Sequence, residues 1–436
     1  MNKRLLIISP YFPPTNAADM QRVRMSLPYF EEYGWNAEVV TVDEKYSDQV
    51  KDELLIQSVP GYIKVHKVKA FEKTWTSKFG LGSIALRSLW FFMQTVNQLL
   101  KKGKYDLIYF STTQFPVCVL GSHWKRRFNI PYVIDMQDPW HSDYYQDKPK
   151  EQQPPKYWFS YRLNKYLEPI AMKQVDGLIG VSESYINNLK ARYPEIRKIP
   201  QSTITFGAFE PDIKIAEDNQ QQFTSLLQPG FINIVYTGRG GTDMHKAISP
   251  VFETIKTGLV DQPELFDKLK FYFIGTSYAP KGEGVPTILP LAKKYGVDGN
   301  VIEVTGRISY YHSLVTLQQA DALFIPGSDD PQYTASKIYP YLLMQKPLLA
   351  IFNRNSNAVE VLNKCAENAT VLTFGEGAAN IMDGLSKILT QWANGIFSPI
   401  KLLKQFENYS ASNLTGKQVE LFNQAINYFE TKNTNA

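Results

Sequence analysis

Ile232-Asn233-Ile234-Val235-Tyr236-Thr237 runs directly into Gly238-Arg239-Gly240-Gly241-Thr242. A short, nearly continuous apolar run reads as a strand buried on both faces of a parallel sheet. The three glycines that follow let a backbone approach a ligand closely. Arg239 adds a fixed charge suited to a diphosphate, and Lys246 follows near the start of the next helix. The N-terminus has the same form. Arg4–Ser9 reads as a strand, Ser9-Pro10-Tyr11-Phe12-Pro13-Pro14-Thr15-Asn16-Ala17-Ala18 as its loop, and the next helix carries Arg22 and Arg24. Free N–H groups at such a helix start suit an anionic oxygen. Neither loop is a GxGxxG or Walker motif, so a dinucleotide or an ATP P-loop is disfavoured.

Working outward, Ala37–Val42, Ile63–Val68, Asp106–Phe110, Tyr132–Met136, Gly177–Val181 and Ser202–Phe206 read as further strands of a first series. Leu269–Ile274, Val301–Val304, Ala322–Ile325, Leu348–Ile351 and Thr370–Thr373 continue the second. Helical patterns lie between them. The clearest sets Leu86, Leu89, Trp90, Met93, Val96 and Leu100 at i, i+3, i+4, i+7 spacing, as for a helix packing on a sheet. Two βαβα series separated by the polar stretch Lys214–Gln222 predict an α/β fold. Two doubly wound Rossmann-like domains would face each other across a cleft, with ligands at the strand C-termini. The expected division is 1–212, 213–400, and a C-terminal helical segment 401–436 packing back toward the first domain.

Length and composition agree. The 436 residues exceed the roughly 150 of one domain. Hydrophobic residues are 44% and charged residues 20%, a globular balance. The net charge of +5 suits phosphate-bearing partners without forming the dense basic stripe of a nucleic-acid binder, so no nucleic-acid partner is expected. Cys118 and Cys365 alone make neither a disulfide framework nor a zinc site, which points to a reducing compartment. Leu5–Ile8 is too short for a signal-peptide core, and no stretch has the ~20 apolar residues of a membrane span.

Several segments in order resemble a known group. Leu6-Ile7-Ile8-Ser9-Pro10-Tyr11-Phe12-Pro13-Pro14 matches an opening strand and loop, and Gly34 with Val39–Val42 a second strand. Ile134-Asp135-Met136-Gln137-Asp138-Pro139-Trp140 is similar to an I-D-x-R-D-P-W segment. Gly180-Val181-Ser182 and Gly207 to Glu210 match the approach to a second domain. Val304-Thr305-Gly306-Arg307-Ile308 resembles a base-binding loop, and Ala320–Pro326 an A-D-x-x-x-x-P strand. Ser336–Leu342 with Lys346–Ala350 is similar to S-K-x-x-E-Y-L…G-K-P-x-x-A. The pattern resembles the retaining, nucleotide-sugar-dependent glycosyltransferases of the GT-B fold, also called group 1 or glycosyltransferase family 4-like. It covers nearly the full chain.

That resemblance implies transfer of a sugar from a nucleotide diphosphate to an acceptor hydroxyl, with retention and without a metal or other cofactor; the nucleotide sugar is a co-substrate. No Asp-x-Asp occurs in the chain. Fixed cations then stabilise the departing diphosphate, with Arg239 first and Lys246 second as the catalytic choices. Gly238, Gly240, Gly241, Gly306, Arg307, Ile308, Gln332, Ser336 and Lys337 are implied to hold the donor. Ser336 would cap the following helix. The family's Glu-x7-Glu pair is replaced by Gln332 and Pro340. Pro340 cannot hold a ribose through its side chain, and inside a helix it removes a backbone donor. Asp329 or Asp330 would supply that contact, or donor affinity is low, or catalysis is lost.

On the acceptor side, Asp138 and, after it, His141 are the candidates to deprotonate or orient the acceptor hydroxyl. Pro14, Asn16, Arg22, Asp135 and Trp140 are the candidates to bind the acceptor, and Trp140, Tyr144 and Tyr145 could stack on a sugar. The expected partners are a nucleotide sugar and a glycan or lipid-linked acceptor in cell-surface polysaccharide synthesis. The expected place is the cytoplasm or the inner face of the cell membrane. Peripheral contact with an anionic membrane could come from Ser83–Lys104 and its terminal lysines, against a plain core helix with Leu and Trp buried. Two other readings stay open: a nucleotide-sugar 2-epimerase on the same fold, and a catalytically degenerate nucleotide- or glycan-binding partner.

Overall fold

The computed structural model describes residues 2–143, 146, 149–150, 153, 157–277, 279, 282–330, 337–375 and 380–434. Two compact units emerge. The first is Met1–Phe206 with Ser410–Ala436, and the second is Gly207–Tyr409.

The first unit holds β1 (Lys3–Ile8), β2 (Trp35–Val42), β3 (Lys64–Val68), β4 (Leu107–Ser111), β5 (Tyr132–Met136), β6 (Gly177–Gly180) and β7 (Gln201–Thr203). They form one parallel sheet in the order β3-β2-β1-β4-β5-β6-β7. The apolar runs are continuous because alternate side chains enter two different cores. Leu6, Ile8, Val40, Ile108 and Ile134 meet Phe92, Trp124 and Met172 on one face. Leu5, Ile7, Val39, Leu107 and Val133 meet Leu414, Phe422 and Ala425 on the other. Those last three belong to the final helix, Ala411–Thr434.

The second unit holds β8 (Ile232–Thr237), β9 (Leu269–Ile274), β10 (Val301–Val304), β11 (Ala322–Pro326), β12 (Leu348–Asn353), β13 (Ala366–Glu367), β14 (Thr370–Phe374) and β15 (Lys401–Leu402). Its six-stranded sheet runs β10-β9-β8-β11-β12-β14, all parallel. In both sheets the order reverses at the first strand, which is the switch point where α/β sheets place ligands.

The borders differ from 212 and 400 for local reasons. The helix Glu210–Asp218 is tied into the second unit because Tyr310 and Tyr311 both donate to the Asp212 carboxylate at 2.8 Å. Residues 401–409 stay there too. β15 pairs antiparallel with β13, Leu403 N donates to Cys365 O at 2.9 Å, and Phe406 enters the core.

The helix Ile84–Lys102 departs from expectation as well. Ser83 caps it by accepting from Leu86 N at 3.3 Å. Its fully buried residues are Ile84, Ala85, Arg87, Ser88, Phe92 and Val96; of the expected stripe Val96 is among them and Leu89, Met93 and Leu100 pack on the core part-buried, but Trp90 is exposed. The helix is apolar on two sides, and periodicity alone could not tell which one meets the sheet.

Candidate functional site

In the second unit the glycine loop follows β8 as expected, but its glycines serve another purpose. Gly238 N donates to Ile274 O and Gly240 N to Thr276 O, both at 2.8 Å, so these two N–H groups are spent inside the unit. A Cβ at Gly238 would fall on the Lys337 ammonium, 2.7 Å from the Tyr236 hydroxyl. A Cβ at Gly240 would press on Thr276 and Thr287, and one at Gly241 on the Asp243 carboxylate. The glycines make room for side chains rather than offering N–H groups to a ligand.

The group they make room for is Lys337. Its Nζ lies 5.5 Å from the centre of the Tyr236 ring. Burial, first, and then the charges of Arg239 and Arg307 push its ammonium down to about 8. Lys337, Arg239 and Arg307 therefore share one field, although they lie up to 98 positions apart in sequence (337 − 239). Arg239 forms a forked pair with Asp243, Nη1 to Oδ1 at 3.0 Å and Nη2 to Oδ2 at 2.6 Å. The Arg239 hydrogen bonds hold the Asp243 carboxyl below its ordinary range.

Lys337 itself stands at the N-cap of the helix Ile338–Leu343, with no side-chain cap. Ser336 and Gln332, expected as cap and sugar contact, lie outside the described residues, as do Tyr144 and Tyr145. Tyr341 pins the helix to the end of β8 by accepting from Thr237 N at 2.8 Å. Pro340 sits in the first turn, where N–H groups have no intrahelical partner, so it costs the helix no hydrogen bond. The donor that Pro340 lacks is one this helix does not use.

Lys246 does not join the trio in any contact seen among the described residues. Its Nζ lies 3.7 Å from Asp329 Oδ2, and both side chains are largely exposed. The 304–308 segment is held by loop-to-loop bonds, with Gly275 N and Thr276 N donating to Val304 O at 2.8 and 3.3 Å. Gly306 has open space where a Cβ would stand, Arg307 is exposed, and Ile308 packs on the core. Glu303 on β10 was not singled out by the sequence. Its carboxylate accepts from Thr276 Oγ1 and from the N–H groups of Thr287, Ile288 and Leu289 at 2.7–3.0 Å, fixing the segment beside the glycine loop.

In the first unit three N–H groups of the opening loop are spent inside the unit. Thr15 N donates to Phe12 O, Asn16 N to Val50 O and Ala17 N to Thr15 O, while Pro14 O accepts from Asp52 N. Arg22 and Asp135 are interior. Arg22 Nε is 2.7 Å from Asp135 Oδ2, and its Nη groups donate to Thr205 O and Ile204 O at 3.1 and 2.7 Å. Ser111 Oγ and Gln137 Nε2 each donate to Asp135 Oδ2 at 2.9 Å. A wholly buried, paired Asp135 joins the end of β5 to the end of β4 and to the helix Gln21–Ser26, and does not reach an acceptor. Trp140 is likewise packing: it stacks on Phe115 at 5.4 Å, and its Nε1 donates to Asn164. Asp19, which the sequence reading passed over, is buried on Thr112 and Thr113.

Asp138 and His141 remain, and they differ. Asp138 is exposed, and no hydrogen bond or ion pair engages its carboxyl among the described residues. Desolvation raises it above the ordinary carboxylate range. His141 is buried. Arg192 Nη1 lies 2.8 Å from His141 Nδ1 and donates to His141 O at 2.7 Å, while Glu168 Oε2 accepts from His141 N at 3.0 Å. A guanidinium can only donate, so Nδ1 accepts, and the neutral ring carries its proton on Nε2. Burial and the Arg192 charge lower the imidazole's proton affinity. Of the two expected tasks, orienting or deprotonating an acceptor hydroxyl, this tautomer leaves His141 only the first. Its Nε2 is buried with no hydrogen-bond partner among the described residues. Glu168 holds the clamp through Arg192 at 3.3 Å and the Tyr193 hydroxyl at 2.9 Å. Sequence gave no sign of it beyond one acid in the middle of a helix.

Comparison with known proteins fits this geometry. The Glycosyltransferase Family 4 model matches residues 58–203, all in the first unit. Among curated proteins, none matches. The solved UDP-forming alpha,alpha-trehalose-phosphate synthase from Burkholderia xenovorans is similar over 96% of this chain and 100% of its own, with 10% identity and a TM-score of 0.54. The N-terminal domain of trehalose-6-phosphate phosphatase from Candida albicans is similar over 100% and 96%, with 14% identity and a TM-score of 0.50. At such identities these structures speak for the fold alone. Residues 58–203 thus match the model of Glycosyltransferase Family 4, and the chain as a whole shares the GT-B fold of these structures.

Proposed function

We propose that the chain moves a sugar, with retention and without a metal, from a nucleoside-diphosphate sugar to a hydroxyl of a glycan or lipid-linked acceptor. The setting is cell-surface polysaccharide synthesis at the inner face of the membrane. The observation that carries the donor half is the shared field of Lys337, Arg239 and Arg307 at the strand ends of the second unit. As the glycosidic bond breaks, charge builds on the diphosphate, and prepositioned cations stabilise it most where water is scarce. Lys337 is the best placed of the three, because it is half-buried against the Tyr236 ring. Arg239, oriented by Asp243, shares that task; Lys246, paired with Asp329, is set aside.

Asp138 is the acceptor-side base. It is the exposed carboxylate of the 134–141 segment, and its raised proton affinity makes it a stronger base than an ordinary carboxylate. His141 donates Nε2–H to a sugar oxygen. The test is thermal shift with UDP, GDP, ADP and CMP, since a ligand that binds only the folded chain stabilises it. A shift with one diphosphate, followed by its release from the cognate sugar only when acceptor is added, supports transfer. A flat response to all four overturns the donor half.

A further inference from the structure

A cavity of about 470 Å³ opens in the first unit at the N-terminal end of the sheet. It exists because two strand registers start at different points. β2 pairs with β1 from Trp35 onward, but its pairing with β3 begins only at Glu38 and Lys64. Trp35, Asn36 and Ala37 therefore have a strand on one side alone, and the missing length of β3 is the notch. Eight residues of β2, rising about 3.3 Å each, put roughly 23 Å between it and the strand C-termini where the sheet order reverses. The notch is thus no part of that crevice, and its size is that of a small-molecule site.

Its floor is aromatic and fixed. Phe30 and Trp35 are each 1% exposed, and both pack on Phe422 of the final helix, with ring centres 6.2 and 5.7 Å apart. One wall is fixed as well. The Glu38 carboxylate accepts from Arg4 Nη2 at 2.8 Å and from the Tyr105 hydroxyl at 2.9 Å, and lies 2.8 Å from His66 Nε2. The Arg4 guanidinium also lies 4.3 Å from the centre of the Tyr105 ring. The mouth is different. Tyr62 is 58% exposed, and Glu31, Asn36 and Lys64 are exposed around it. Among the described residues no hydrogen bond or ion pair engages the side chains of Glu31, Tyr62 or Lys64. Burial, first, and then the charges of Glu31 and Glu32 raise the Tyr62 hydroxyl above its ordinary value, so the phenol and the carboxylates share one field.

These groups select by charge. Arg4 and Lys64 balance Glu31 and Glu38 around the notch, so an anion meets two carboxylates and a cation meets two bases. A neutral ligand rich in hydroxyls meets no like charge. The Glu31 carboxylate can accept from its hydroxyls, and Lys64 and the Asn36 amide can donate to its oxygens. The Tyr62 ring offers its negative face to C–H groups. A saccharide ring has both kinds of surface, whereas the diphosphate of a nucleotide sugar would stand against Glu31 and Glu38.

We propose that the notch is a second saccharide site, which holds a neutral stretch of the acceptor glycan while the end of that glycan reacts elsewhere. This rests on the glycan-transfer reading above and adds to it a point of attachment remote from the chemistry.

The test is titration calorimetry of the full chain with mannotetraose, maltotetraose and galactotetraose, in the absence of nucleotide. At least one of these is expected to bind. Tyr62→Ala and Glu31→Gln, both at exposed positions, should each weaken that binding at least about tenfold, and Asn36→Trp, which fills the mouth, should abolish it. Thermal melting of these variants should be unchanged and reports that each is folded. Asp138→Asn and Lys337→Ala should bind the saccharide as the unaltered chain does. Binding of none of the saccharides, or binding that survives Asn36→Trp, overturns the proposal. Binding lost in Asp138→Asn but kept in Tyr62→Ala would put the sugar at the transfer site and overturn it too. Saccharide binding that needs Tyr62, without any nucleotide thermal shift, would leave the notch standing while the donor reading fails; a nucleotide shift without saccharide binding would do the reverse.

Discussion

Arg192 Nη1 sits 2.8 Å from His141 Nδ1 and donates to His141 O at 2.7 Å, so one guanidinium fixes both the tautomer and the backbone position of the histidine. The ring nitrogen that faces away, Nε2, is then a permanent N–H donor. A base at this position would need the opposite tautomer.

That relationship predicts how variants of His141 behave. Glutamine keeps a donor close to the Nε2 position, so His141→Gln should retain kcat/KM within about tenfold, whereas His141→Ala should lose ten- to a hundredfold, the range for one hydrogen bond to a sugar oxygen. Donation does not depend on a deprotonated ring, so the acid limb of the rate profile should be unchanged in His141→Gln. Steady-state kinetics from pH 5 to 8 reads both. Loss of all turnover in His141→Gln would restore the base role.

Lys337 predicts a pH dependence on the donor side. Its ammonium is pushed down to about 8. Below that pH it is charged and attracts a diphosphate; above it, the free protein holds a neutral amine. Affinity for a nucleoside diphosphate should fall as pH rises from 7 to 9, approaching tenfold per unit above 8. Because the folded value lies below the unfolded one, the same group makes the ligand-free fold more stable as pH rises from 8 toward 10.5. Isothermal titration across that range should show the slope, and Lys337→Arg should flatten it.

Gly238 is open to a single-atom test. A Cβ there would collide with the Lys337 ammonium and the Tyr236 hydroxyl. Gly238→Ala should displace Lys337 and weaken diphosphate binding about ten- to a hundredfold. Its effect on nucleoside monophosphates should be smaller, and thermal melting should show the fold intact.

The interior pair of Arg22 and Asp135 should matter for stability rather than for the acceptor. Asp135→Ala strands a buried guanidinium, at a cost of about 3–5 kcal/mol, read by urea denaturation. Asp135→Ala with melting unchanged and acceptor KM raised would return Asp135 to the binding surface.

The architecture was legible because buried parallel strands are continuous apolar runs, and all thirteen strands of the two main sheets stand close to where those runs lie. The donor loop was legible through Gly238, Gly240, Gly241, Arg239 and Lys337. Its logic was not: that Gly238 yields space to a lysine 99 positions on (337 − 238) is a tertiary fact with no local trace. Asp135 misled because an acid at a strand end reads alike whether it faces solvent or an internal arginine. His141 misled because its tautomer is set by Arg192, 51 positions away. The stripe through Leu86, Leu89, Trp90, Met93, Val96 and Leu100 held only in part, because Ile84, Ala85, Ser88 and Phe92 form a second apolar side that is buried while Trp90 is left exposed.

The claim that the rest depends on is that Lys337, with Arg239 and Arg307, grips a diphosphate. Titration calorimetry of UDP, GDP and ADP against their monophosphates, on the unaltered chain and on Lys337→Ala, tests it most directly. The account predicts that one diphosphate binds at least about tenfold tighter than its monophosphate and that the gap closes in Lys337→Ala. Equal binding of diphosphate and monophosphate, or a gap that survives the loss of Lys337, would contradict it.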